Sequence, residues 1–186
     1  MEINQINFNA FKNSSEEFLE TIYAELISVG LSTDSLMCDH LCFRVSTHNE
    51  YNYYKNELKT HASLLTEANV NGRPISTFVM NKPFITKHHV IPMLELPAPK
   101  NGANYSTGFE HVEFVINESF DHFKAQFPYL NFTLGGNKNL NQELCLKLEN
   151  GLQVKFHHLS LDRVIEIEEA KITDIIFNLD GTLIKN

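Results

Sequence analysis

Four segments of this 186-residue chain set a charged or imidazole side chain among apolar ones at the two-residue period of a β-strand. In CDHLCFRV, His40 is out of phase with Leu41, Phe43 and Val45. In VIPMLELP, Glu95 stands between Leu94 and Leu96. In FEHVEFVI, His111 and Glu113 are in phase, and Val112 and Phe114 point the other way. In LQVKFHH, Lys155 and His157 share one face, with Val154 and Phe156 on the other. If those faces line one cleft, two imidazoles and a carboxylate converge. That donor set suits a divalent transition metal with positions left open for substrate or oxygen. Taken singly, each residue has a plainer reading: a strand histidine at the surface or hydrogen-bonded in the core, and Glu95 as a solvated strand end.

The elements that must position these residues follow from pattern and punctuation. SSEEFLETIYAELISVG predicts a helix opened by capping-box spacing between Ser14 and Glu17, with Phe18, Ile22 and Leu26 on one face and Gly30 as its stop. CDHLCFRV is a strand. A second helix starts from Thr47, capped with Glu50, and carries Tyr51, Tyr54 and Leu58 on one face. Asn71-Gly72 suits a type I′ hairpin turn, and VIPMLELP is another strand, closed by Pro97. The pattern then restarts. FEHVEFVI is a strand, NESFDHFKAQF a helix, and LCLKLE and LQVKFHH flank a second Asn-Gly. The helix SLDRVIEIEEA and the short apolar run ITDIIFNL follow. His111 stands 71 positions after His40, while Phe120, Phe123 and Phe127 match Tyr51, Tyr54 and Leu58 at an offset of 69. The prediction is an internal repeat of two strand-helix-strands units.

Length and balance bound the rest. A chain that is 42% hydrophobic and 20% charged is globular, and 186 residues make one domain or one compact pair of half-domains. The net charge of −8, with no basic stripe, argues against nucleic acid or an anionic membrane as partner. No signal peptide or spanning segment is read, so a cytoplasmic protein is expected. Cys38, Cys42 and Cys145 lack the paired spacing of a zinc ribbon and are expected to be reduced, mostly buried thiols.

The segments CDHLCFRV, LLTEANVNGRPI, PMLELPAP, GFEHVEFVI and VKFHHLS, in this order and spacing, resemble the YecM family of small bacterial proteins, within the vicinal-oxygen-chelate superfamily. The resemblance covers about residues 14 to 170 and implies an α+β fold. Two βαβββ modules would form a cupped mixed sheet around one metal, with extra helices at either end. The expected division is a domain over 1–170 and a tail over 171–186. Carried over, the superfamily's ligand positions fall on His40, Glu95 and His111, and the cofactor would be Zn, Fe, Mn or Ni. Where that superfamily usually has a fourth, carboxylate ligand this chain has Lys155, whose protonated ammonium cannot ligate but could hold a substrate carboxylate or enolate oxygen. His157 is either the replacement ligand or a rim histidine.

Enolisation or epimerisation would also need a base near a substrate C–H; Glu113 is the candidate, or else a solvated strand residue. Arg44 could clamp a carboxylate or be an ordinary surface arginine, and Arg73 could contact substrate or pack the hairpin. The resemblance thus implies metal-dependent isomerase, lyase or dioxygenase chemistry on a small oxygen-rich substrate. The alternative is a module that binds a small ligand without turnover. A monomer is expected, since both repeat units lie on one chain.

Finally, ITDIIFNLDGTL resembles motif I of haloacid-dehalogenase-type hydrolases, but Asn178 stands where the nucleophilic Asp belongs and Asp180 would act alone. A phosphatase is therefore the least favoured reading, and the tail is expected to be a vestige or the truncated start of a second domain.

Overall fold

The computed structural model describes residues 8–102, 104–137 and 140–170, and the backbone of 176–177 and 183–184. They divide into two compact units. One comprises the described residues up to Ala24 together with His40–His111; the other comprises Glu25–Asp39 and the described residues from Val112 onward. Two βαβββ modules make up the α+β architecture. The first runs β1 (Met37–Arg44), α2 (His48–Leu58), β2 (Ala62–Val70), β3 (Arg73–Ile85) and β4 (Val90–Pro97). The second runs β5 (Gly108–Val115), α3 (Phe120–Gln126), β6 (Phe132–Asn137), β7 (Asn141–Lys147) and β8 (Gln153–His157). Helix α1 (Phe8–Ser28) precedes them and α4 (Leu161–Glu169) follows.

Strand order repeats as the sequence predicts: β1-β4-β3-β2 in the first module and β5-β8-β7-β6 in the second. The first sheet is mixed, because β1 and β4 are parallel while β4, β3 and β2 are antiparallel neighbours. The helix register of the repeat is corrected. The helix caps Thr47 and Ser119, and the buried Tyr51 and Phe123, each match at an offset of 72 rather than 69. A three-residue slip nearly preserves a helical face of period 3.6, so sequence pattern alone could not separate the two registers.

Helix α1 already includes Phe8, well ahead of the expected cap. Ser14 and Ser15 lie inside it, their hydroxyls donating to the carbonyls of Phe11 and Lys12 three residues back. The expected apolar face holds: Phe18, Ile22 and Leu26 are buried, and Gly30 stops the helix at φ +71. In the first unit Phe11 packs its ring against Phe43, Phe84 and Phe109, which covers the face of β1 opposite His40. The capping box of α2 forms as expected, with Thr47 Oγ1 accepting from the Glu50 amide at 3.1 Å and Glu50 accepting from Thr47 N at 3.1 Å.

The first Asn-Gly closes a two-residue hairpin in which Val70 pairs with Arg73 and both turn residues have positive φ, 53° and 81°. The second closes by a different turn. Gly151 N donates to the Leu148 carbonyl at 3.0 Å and only Gly151, at φ +87, is left-handed, which makes a three-residue loop. Strand β6, FTLGGN, escapes the sequence pattern because two glycines erase its alternation. In the tail, β9 (Ile176–Phe177) pairs antiparallel with β10 (Leu183–Ile184). Asn178, Asp180 and the motif they form lie outside the described residues. Among the described residues, no helix is long and apolar enough to cross a membrane.

Candidate metal centre

The parallel β1/β4 register pairs His40 with Met93 and Cys42 with Glu95; on the far side of β4, Thr77 of β3 pairs with Glu95. Side chains of directly paired residues stand on the same face, so His40, Cys42, Glu95 and Thr77 project together from one side of the first sheet. The other side carries the apolar residues Leu41, Phe43, Leu94 and Phe78, all buried. Both faces of β1 are therefore covered, which the alternation alone did not reveal.

One donor atom from each of His40, Glu95 and His111 lies within 4.8 Å of the others. His40 and His111 are 2% and 5% exposed, and Glu95 is half-buried. The two imidazole rings meet edge-on with centroids 6.4 Å apart. Three donors from three strands, two of them nearly solvent-free, fit the ligand preferences of a divalent transition metal.

A second group in the same unit was missed by sequence reasoning. Cys42, Glu110 and His111 also bring one donor atom each within 4.8 Å of the others. Strict alternation sets Glu110 on the face opposite His111, yet its carboxylate lies 3.5 Å from His111 Nδ1 and receives the Cys42 thiol at 3.9 Å. Arg44 ion-pairs with Glu110 and stacks its guanidinium 4.4 Å above the Tyr105 ring. Burial pulls the Arg44 pKa below its ordinary value, against the opposing influence of Cys42 and Tyr105. The candidate carboxylate clamp thus already grips a carboxylate of its own chain. Arg73 donates from Nη1 to the Ala98 carbonyl at 2.7 Å, tying the end of β4 to the start of β3.

The remaining candidates collect in the second unit. Lys155 Nζ sits 2.8 Å from Glu113 Oε1 and 3.0 Å from Glu143 Oε2. Glu113 is not a solvated strand residue: it is 2% exposed. His157 Nε2 faces Glu113 at 3.4 Å and Asp39 at 3.5 Å, while its Nδ1 meets the Leu159 carbonyl. Asp39 also accepts from the Leu161 amide at 2.9 Å, capping α4 where Ser160 makes no side-chain cap bond. Cys38, next to Asp39, is a deeply buried thiol whose pKa burial pushes well above the ordinary value. The Val154, Phe156, Val112 and Phe114 side chains on the opposite face are all buried, and Phe114 stacks on Phe156 at 5.9 Å. Asp39 and Glu143 carried no sequence signal, because their partners are 118 and 12 positions away.

A family model described as YecM protein matches residues 7–149. The chain belongs to the YecM family. Protein YecM of Escherichia coli (strain K12) is 24% identical over 157 residues, 76% of this chain and 84% of that protein. The solved structure of a structural-genomics target, protein EC4020, is similar with a TM-score of 0.71 at 21% identity, over 90% of this chain and all of that one. The YecM-family chain therefore shares that fold. A methylmalonyl-CoA epimerase from Streptomyces coelicolor is a more distant likeness, with a TM-score of 0.46 at 12% identity over 66% of this chain and 97% of that one.

Proposed function

We propose that this chain is a metal-dependent protein of the vicinal-oxygen-chelate type that acts on a small, oxygen-rich substrate. His40, Glu95 and His111 would hold a divalent transition metal. The observation that carries the reading is the convergence of three donor atoms, on three different strands, within 4.8 Å in one compact unit. A metal bound there would supply Lewis acidity toward two neighbouring oxygens of a substrate. The chain's own part is to orient the imidazoles. Leu41 and Leu94, both 0% exposed, lock their strands from the opposite face, so the donor-bearing face is held by a rigid core.

One observation favours the second reading, ligand binding without turnover. The candidate base Glu113 has one oxygen engaged by Lys155 and the other turned toward His157. A base must have an oxygen within reach of a substrate C–H, and this carboxylate is committed to an internal network. The same network gives the Lys155 ammonium two carboxylate partners, so an incoming anion would have to compete with both.

The test is metal content by mass spectrometry on untagged protein purified without chelators, beside His40→Ala and His111→Ala. Close to one transition metal per chain, lost in both variants, supports the proposal. Wild-type protein that stays metal-free after loading with Fe(II), Mn(II), Ni(II) or Zn(II) overturns it.

A further inference from the structure

We infer that Cys42 is a sulfur donor to the same centre, and that it decides which metal the centre prefers. The inference rests on the proposed metal reading and goes beyond it, because a centre of two imidazoles and one carboxylate has no sulfur. Three observations carry it. Cys42 pairs directly with Glu95 across the parallel β1/β4 ladder, so the thiol and the candidate carboxylate ligand stand side by side on one face. Cys42 is also two residues from His40 on that face, about 6.6 Å along the strand, which is within reach of one ion for two inward-turned side chains. Its Sγ lies within 4.8 Å of a donor atom of His111, the residue common to both donor groups of the unit. Ligand atoms bound to one tetrahedral ion by bonds of about 2.0 Å to nitrogen and about 2.3 Å to sulfur sit about 3.5 Å apart. Reaching that geometry requires the thiol to turn from Glu110 toward His40 and Glu95.

Glu110 completes the second donor group but is the weaker ligand. Arg44 already holds its carboxylate in an ion pair, and detaching it would leave the half-buried guanidinium without that partner. The thiol, 1% exposed, gives up a long contact of 3.9 Å to Glu110. On metal binding the S–H bond is exchanged for an S–metal bond, and the proton passes to solvent. A sulfur ligand moves the centre's preference from hard ions such as Mn(II) toward Zn(II) and Co(II).

Cobalt(II) titration under reducing conditions tests this on wild type, Cys42→Ser and His111→Ala. The expected result is one Co(II) per chain with a near-ultraviolet thiolate-to-cobalt charge-transfer band. Cys42→Ser should still bind cobalt, but without that band and with affinity lower by roughly 10–100-fold, at least the loss typical of removing a supporting contact to a metal site. Its Mn(II) affinity should change less than about threefold. Cobalt bound to wild type without the band, or a band that survives in Cys42→Ser, overturns the sulfur ligand and leaves the metal reading standing. No cobalt bound by wild type overturns both. X-ray absorption on zinc-loaded wild type needs no variant: a sulfur shell at about 2.3 Å supports the inference, and a shell of nitrogen and oxygen alone overturns it.

Discussion

Replacing Lys155 by Met removes a single positive charge from between two carboxylates. The Lys155 and Glu143 side chains are 16% exposed and the Glu113 side chain 3%, with contacts of 3.0 and 2.8 Å. Each contact corresponds to a gross attraction of about 6 kcal/mol at an effective dielectric of about 20, most of which is offset by desolvating the charges. What the variant leaves behind is the larger effect. Glu113 stays buried against His157, and the ammonium that drew its charge into the interior is gone. Breaking a buried pair in this way costs about 3–5 kcal/mol. Partial solvent access to Glu143 puts the expected loss near the lower end, about 3–4 kcal/mol. At roughly 2–4 °C per kcal/mol for a chain of this size, Tm should fall by about 10 °C.

The assay is urea and thermal unfolding of Lys155→Met, Glu113→Gln and the double variant. Glu113→Gln in the Lys155→Met background should recover at least about 2 kcal/mol, because the neutral amide no longer needs the ammonium. A Lys155→Met protein within about 0.5 kcal/mol of wild type, or strictly additive variants, would refute the reasoning and return Lys155 to the role of a ligand-binding cation.

Two further outcomes follow from the first unit. Hydrogen bonding from Lys55, then Tyr51, holds Glu67 down at about 2 in spite of partial desolvation, while burial, with Glu67 beside it and against the Ser76 hydrogen bond, raises Tyr51 to about 12. A depressed carboxylate contributes stability above its unfolded value of about 4.5 that is lost as pH falls from there toward 2. Glu67 is exposed, so screening leaves the effect near 1 kcal/mol, and Glu67→Gln should flatten the urea midpoint between pH 5 and 3 by about that amount. Thr47→Ala removes the α2 cap bond to the Glu50 amide and should cost about 1 kcal/mol in urea unfolding. Gly136→Ala should cost more than Gly72→Ala. Both have positive φ, but a Cβ at Gly136 would clash with the Asn141 carbonyl, whereas nothing lies within 4 Å at Gly72; thermal melts of the two variants decide.

The sequence by itself determined the modules and their faces. Period-two alternation in β1, β4, β5 and β8, an Asn-Gly pair in each module and the capped helix α2 are local signals, each readable within about ten residues. They set His40, Glu95 and His111 on faces opposite the apolar residues of their strands, because the side-chain period of a strand sets its face without reference to any partner; the choice of these three as ligands came from the family resemblance. Local signals failed where spacing was ambiguous or erased: in the repeat register of α3, in the glycine-interrupted β6, and in the start of α1, where Ser14 has the chemistry of a cap but lies inside the helix.

Only the tertiary structure decided which charges are spoken for. Arg44 and Lys155 look alike in sequence as cations available to a substrate, yet each is already matched to acids of its own unit, Glu110 in one case and Glu113 with Glu143 in the other. Cys42 is a lone thiol in sequence, and strand pairing sets it beside Glu95, with His111 in reach. Alternation is a property of one strand, whereas the match of charge to charge and donor to donor belongs to strands brought together from positions up to 118 residues apart. No local pattern encodes those distances.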